Sequence, residues 1–236
     1  MSQKQTEKEW LQAVPESDRR AYMKSGFGEP LAIGSNPALI VIDVTLAFTG
    51  SKPQSLEDAI QECFTACGQM AWDTLPRIKS LIDIFREQKR PVIFTRSDVR
   101  GQQFAGGATK GVRPLNPDPK FSTFPDVIAP QEDEWILEKT KASVFFGTPL
   151  NEYLKRNKID TLVICGVSTS GCVRASVVDG FSLGYNIFVV DDCCFDRSHY
   201  AHCANLFDMN AKYATVLSEA EIARELTQAK AVQKAG

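Results

Sequence analysis

Residues Asp160–Cys172 read DTLVICGVSTSGC. The first part, DTLVICG (Asp160–Gly166), is a short continuous apolar run, the pattern of a strand buried on both faces of a parallel sheet. It ends in a glycine-bounded polar turn, GVSTSG, and Cys172 opens the helical stretch beyond. The same strand pattern recurs on either side, in PALIVIDV (Pro37–Val44), PVIFTRS (Pro91–Ser97), EWILEK (Glu134–Lys139), NIFVVDD (Asn186–Asp192) and ATVL (Ala214–Leu217). Helical periodicity fills the gaps over Ser55–Arg90, Thr148–Asn157, His202–Tyr213 and from Glu219 onward, with an interruption expected at Pro76. Strands alternating with helices imply an α/β domain, a parallel sheet with helices on both faces. Right-handed crossovers then bring every strand C-terminus to one edge, where ligands bind.

The chain has 236 residues, room for one well-buried α/β domain. Residues 1–36 read as an N-terminal extension, an oligomer arm or a surface strap, and 37–236 as the domain proper. Arg100–Asp133 is a long Gly- and Pro-bearing loop of the kind that carries function. A net charge of -2 gives no electrostatic basis for binding nucleic acid or anionic membranes. No apolar run approaches the roughly 18 residues that span a bilayer, and the polar start MSQKQTEKEW lacks a signal-peptide core. A cytoplasmic protein is expected. Seven cysteines at irregular spacing argue against a disulfide framework.

Three reactive side chains fall at the predicted sheet edge. Asp43 closes the first strand, Lys139 the third, and Cys172 follows the fourth. A thiol at a helix N-terminus beside an ammonium is expected to ionise easily. A nearby carboxylate can move its proton, and turn N–H groups can hold an oxyanion. Each residue also has a bland reading: Asp43 as a turn former, Lys139 as a solvated charge, Cys172 as a small core residue. The GVSTSG turn resembles part of a phosphate loop but is followed by Cys-Val, without the lysine and hydroxyl that bind phosphate and magnesium. It matches only the first half of a serine nucleophile elbow.

ALIVIDVTLAF around Asp43, EKTKASVFFGTPL around Lys139, GVSTSGCVRASVVDGFSLGY around Cys172 and DDCCFDRSHYAHCANLFDMNAKYATV after it together resemble the isochorismatase-like cysteine hydrolases. The likeness covers Pro37 to Leu217 and is greatest for the branch of N-carbamoylsarcosine and maleamate amidohydrolases. It implies a six-stranded parallel sheet, a homotetramer, and an Asp–Lys–Cys triad falling on Asp43, Lys139 and Cys172. It also implies a cis peptide at Val167–Ser168 and oxyanion donors from the Ser168 and Cys172 backbones. Lys139 rather than Lys141 matches the family lysine, four residues ahead of Ser143. Metal-dependent nicotinamidases of the superfamily carry histidines after the second strand. This chain has TRSDVRGQQF there, and its only histidines are His199 and His202. No metal and no cofactor is expected.

The implied reaction is hydrolysis of a small carboxylate-bearing amide or ureide through a thioester, with release of ammonia. Arg197 matches the branch position for the substrate carboxylate, a task suited to a guanidinium, with an ion pair to Asp191, Asp192 or Asp196 as its plain alternative. Arg96, Thr95 and Arg174 are further candidates for polar contacts, and Phe48, Phe146 and Trp135 for an apolar wall. The alternatives are a hydrolase of uncharged or biuret-like ureides, a non-catalytic ligand-binding member of the fold, and a nucleotide binder. The vicinal pair Cys193–Cys194 suggests no role.

Overall fold

The computed structural model describes residues 8–110 and 118–235. The first seven residues of the expected extension, and part of the 100–133 loop, lie outside them. The chain runs α1 (Glu9–Gln12), α2 (Glu16–Lys24), β1 (Pro37–Ile42), α3 (Leu46–Thr49), α4 (Leu56–Glu62), α5 (Gln69–Glu87), β2 (Val92–Ser97) and α6 (Val99–Ala105). It continues through β3 (Trp135–Lys139), α7 (Leu150–Arg156), β4 (Thr161–Val167), α8 (Arg174–Ser182), β5 (Asn186–Phe195), α9 (His199–Lys212), β6 (Thr215–Leu217) and α10 (Glu219–Ala235). The six strands form one parallel sheet in the order β3-β2-β1-β4-β5-β6.

The order reverses direction between β1 and β4. Right-handed crossovers on the two sides of that point put the helices on opposite faces, and a crevice opens where the winding changes. All residues of β1 and β4 are buried, as expected of central strands covered on both sides. At the end of their ladder Ile42 pairs with Gly166. Gly166 has φ 113, and a Cβ there would lie 2.2 Å from the Ile42 carbonyl oxygen. Only glycine fits that crossing.

Three details depart from the sequence reading. Pro76 does not interrupt its helix: α5 is continuous from Gln69 to Glu87, and the break falls at residues 63–68. The ring lies on the exposed face, opposite Leu75, Ile78, Leu81, Ile82 and Phe85, whose burial offsets the lost hydrogen bond. β5 runs on to Phe195, because a register shift between Ile164 and Gly166 lets Cys194 and Phe195 continue the pairing. The loop after β2 contains α6, capped by the Asp98 side chain, and two 3-10 turns at Pro119–Ser122 and Asp126–Ile128.

The segment before β1, read as an oligomer arm or a surface strap, folds onto its own chain. Trp10 and Leu11 are buried in the core. Trp10 Nε1 donates to Asp191 at 2.9 Å, and Lys8 Nζ bonds Asp191 at 3.0 Å and Glu221 at 2.6 Å. No helix among the described residues is long and apolar enough to cross a membrane.

Candidate active site

Asp43, Lys139 and Cys172 converge at the crevice. Asp43 is the first residue beyond β1 and has φ 54, a left-handed conformation that Asp tolerates better than most residues. This conformation takes the chain out of the strand. Thr95, on the neighbouring strand β2, then locks it: Thr95 Oγ1 accepts the Asp43 backbone N–H at 3.1 Å and donates to Asp43 Oδ1 at 2.8 Å.

Lys139 ends β3, and its side chain is 1 % exposed. Its ammonium has three N–H groups and three acceptors: Asp43 Oδ2 at 2.7 Å, the Lys141 carbonyl at 3.2 Å and Cys172 Sγ at 3.4 Å. Burial works against the ammonium, but the charge of Asp43 and the hydrogen bonds to Asp43 and Cys172 hold its pKa above the ordinary lysine value. Lys139 therefore stays a cation at neutral pH, between the carboxylate and the sulfur.

Cys172 lies in a π-helical turn, Thr169–Val173, which leads into α8. The turn follows a cis peptide between Val167 and Ser168. The Ser168 carbonyl accepts from Gly171 N–H at 2.9 Å and Val173 N–H at 3.2 Å. Ser176 Oγ donates to the Cys172 carbonyl at 2.7 Å and accepts from Val144 N–H at 3.1 Å, joining the turn to the loop after β3.

One electrostatic expectation is reversed. Burial first, and the Asp43 charge second, push the Cys172 thiol up to about 12, against the opposing pull of Lys139. Desolvation of the sulfur outweighs the ammonium. Burial thus favours the neutral thiol over the thiolate beside the Asp43–Lys139 ion pair.

The other candidates are dispersed. Thr95 is fully buried and serves Asp43. Arg96 pairs in register with Glu138, one residue off the Ser97–Lys139 pair and so on the opposite face of the sheet; its guanidinium bonds Glu138 Oε1 at 2.6 Å and 3.0 Å. Arg174 bonds Asp208 on α9 at 2.9 Å. Trp135 opens β3 at the end remote from Lys139 and packs on Tyr153 with ring centroids 4.9 Å apart. Phe48 is half-buried against the core. Phe146 is 61 % exposed, in the loop beyond Lys139.

Arg197 follows β5. Among the described residues it forms no ion pair with Asp191, Asp192 or Asp196. Instead one terminal nitrogen donates to the Thr65 carbonyl at 2.8 Å, in the loop between α4 and α5. That bond occupies one of the five N–H groups of the fork. Lys141, passed over in favour of Lys139, bonds the carbonyls of Ala105, Gly106 and Gly107 at 2.6, 3.2 and 3.2 Å.

The sequence reading missed the residues that hold the cysteine turn. Ser170 bonds Asp196, and Thr169 bonds His202 on α9. The signal available was the polar pair Thr169–Ser170 immediately ahead of Gly171–Cys172. Among the described residues, no group of three or more His, Cys, Asp or Glu side chains is placed to hold a metal ion.

Residues 37–221 match the model of the isochorismatase domain. The chain belongs to the isochorismatase family. It is 32 % identical over 206 residues to a maleamate amidohydrolase of Pseudomonas putida, covering 85 % of this chain and 91 % of that protein. It is 27 % identical over 224 residues to an N-carbamoylsarcosine amidase of an Arthrobacter species, covering 92 % and 81 %. Among solved structures of the family, the N-carbamoylsarcosine amidase of Thermoplasma acidophilum superposes with a TM-score of 0.59 at 26 % identity, over 78 % of this chain and 96 % of that one.

Proposed function

We propose that this isochorismatase-family protein is an amidohydrolase that cleaves the C–N bond of a small carboxylate-bearing amide or ureide through a Cys172 thioester. The observation that carries this reading is the Lys139 ammonium bonded at once to Asp43 Oδ2 and Cys172 Sγ. The amidohydrolase names of the two relatives support the reaction class.

In the first half-reaction Sγ attacks the acyl carbon as its proton passes to Asp43. We take the two events as concerted, since burial of the sulfur disfavours a free thiolate ahead of attack. The carbonyl electron pair moves onto oxygen, where the backbone N–H groups of Ser168 and Cys172 are the proposed donors. The tetrahedral species collapses, the C–N bond breaks, and Asp43 returns the proton to the leaving nitrogen as ammonia. In the second half-reaction water attacks the thioester while Asp43 takes its proton. The C–S bond breaks and Asp43 reprotonates the sulfur. Lys139 remains a cation throughout and offsets negative charge on Asp43 or sulfur in turn.

Arg197 is the proposed partner of the substrate carboxylate, its guanidinium braced against Thr65. The proposed assembly is the homotetramer that the family likeness implies, which light scattering can test.

The deciding experiment is ammonia release from maleamate, N-carbamoylsarcosine and an uncharged amide of similar size, with Cys172→Ser as control. Turnover of a carboxylated compound, lost in Cys172→Ser, is expected. Turnover of the uncharged amide alone would remove the role of Arg197, and a fully active Cys172→Ser would remove the thioester.

A further inference from the structure

The reaction above leaves one buried charge without a task. Asp196 is 4 % exposed and stands where β5 gives way to α9. Its Oδ2 accepts both the backbone N–H of Ser170 at 2.9 Å and the Ser170 hydroxyl at 2.6 Å, and its Oδ1 accepts Ser198 N–H at 3.4 Å. No ion pair to Asp196 forms among the described residues. A buried carboxylate held by neutral donors costs more to desolvate than an amide or hydroxyl in the same place, so its retention calls for a reason. Capping α9 is not that reason, since Ser198 already does so by accepting Ala201 N–H at 3.2 Å.

A second contact joins the same two segments. Thr169 Oγ1 donates to the Phe195 carbonyl at 3.2 Å and meets His202 Nδ1 at 2.8 Å. The hydroxyl has one proton, given to Phe195, so His202 supplies an Nδ1–H to the oxygen. Both residues ahead of Gly171–Cys172 are thus fixed by 195–202, the stretch that also carries Arg197.

We propose that Asp196 is a positioning residue for the cysteine turn, clamping Ser170 so that Cys172 Sγ and the turn N–H groups stay aligned on one acyl carbon. The proposal rests on Cys172 being the nucleophile. Charge-assisted bonds are short and directional, which suits a clamp two residues from the attacking atom. Misplacement of about 1 Å at such a site costs about 100-fold in rate.

The test is a kinetic cycle of Asp196→Asn, Ser170→Ala and the double variant, read by kcat, KM and the rate of iodoacetamide attachment at Cys172 followed by mass mapping of the peptide that carries it. Asp196→Asn is expected to lower kcat and the labelling rate by about 10- to 100-fold, with KM changed no more than about twofold. Ser170→Ala should lower both less, and the double variant should be no slower than Asp196→Asn, because the two side chains act through one contact. Arg197→Met, in contrast, should act mainly on KM. A folded Asp196→Asn with wild-type kcat and labelling, or additive losses in the double variant, overturns the proposal. If Asp196→Asn does not fold, Ser170→Ala decides: unchanged kcat and labelling overturn the clamp, and a selective fall in both supports it. Where no substrate is yet in hand, the labelling rate alone carries the same comparison. A fully active Cys172→Ser would defeat the underlying reaction, whereas an unaffected Asp196→Asn in an enzyme silenced by Cys172→Ser defeats only the clamp.

Discussion

Asp43 and Lys139 lie 96 positions apart in the chain and meet at 2.7 Å, both side chains 1 % exposed. The pair faces a third group, the Cys172 sulfur, so neither charge can be treated as merely structural or merely chemical. Removing either member is expected to touch stability and, on the proposed reaction, rate together, and the two effects can be separated.

Asp43→Asn leaves the Lys139 ammonium buried without its counter-charge. Loss of one partner of a buried pair costs about 3–5 kcal/mol. We expect Asp43→Asn to fall in urea midpoint accordingly and to lose turnover. Adding Lys139→Met should return part of the stability and none of the rate. A double variant no more stable than Asp43→Asn would show that the pair's charges do not set the cost.

Cys172→Ser should cut turnover by about three orders of magnitude or more, since a hydroxyl is a far weaker nucleophile without a matched base. The change is nearly isosteric, so the melting temperature should stay close to that of the wild type. Loss of fold alongside loss of rate would argue that the sulfur matters mainly to packing.

Alkaline pH should destabilise the fold. Burial pushes the thiols of Cys67 and Cys172 up to about 12, from an ordinary value of 9.0, and raises Cys165, Cys193 and Cys194 as well. Between pH 9 and 12 the unfolded chain releases protons that the native one keeps, so stability falls as pH rises. Lys139, raised above 10.5, adds a loss of the same sign beyond that pH. Each fully shifted thiol contributes about 1.4 kcal/mol per pH unit at most. Urea midpoints at pH 8 and 10.5 should diverge, less so in Cys67→Ala. A flat profile across that window would contradict the burial of these groups.

At the acid end the strap before β1 should matter. Partial burial raises the Glu221 carboxyl, but Lys8 and Ser218 outweigh it and bring the group down to about 2, from 4.5. A lowered carboxyl stabilises the native state above its unfolded value and loses that contribution as pH falls through the folded one. Lys8→Ala should therefore be less stable than wild type at pH 7, and the gap should close between pH 4.5 and about 2. A gap that persists at pH 2 would assign the effect to packing of Trp10 and Leu11 rather than to charge.

How much of this was legible depends on what each residue leans on. The central strands could be read from apolar runs such as ALIVI and LVIC because burial on both faces leaves no other pattern. Asp43, Lys139 and Cys172 could be placed at one edge because the topology sends all strand ends there, while the family likeness supplied their roles. The end of β5 was not legible: Asp191 and Asp192 look like the end of a strand, yet Asp191 is met by Trp10 and Lys8, and Asp192 by Arg77 and the N–H of Glu219. The raised thiol of Cys172 escaped for a similar reason, because desolvation is a property of the assembled crevice and leaves no mark on local sequence. Arg96 and Arg174 looked available until their partners, Glu138 and Asp208, were seen beside them.

The crossing of Gly166 over Ile42 sets the geometry of everything above it. Two backbones in direct apposition leave no room for a side chain, so the ends of β1 and β4, one leading to Asp43 and the other into the cysteine turn, are held at a fixed separation. Redesign of the proposed pocket must therefore leave this crossing alone and work at side chains such as Arg197, braced by the α4–α5 connection.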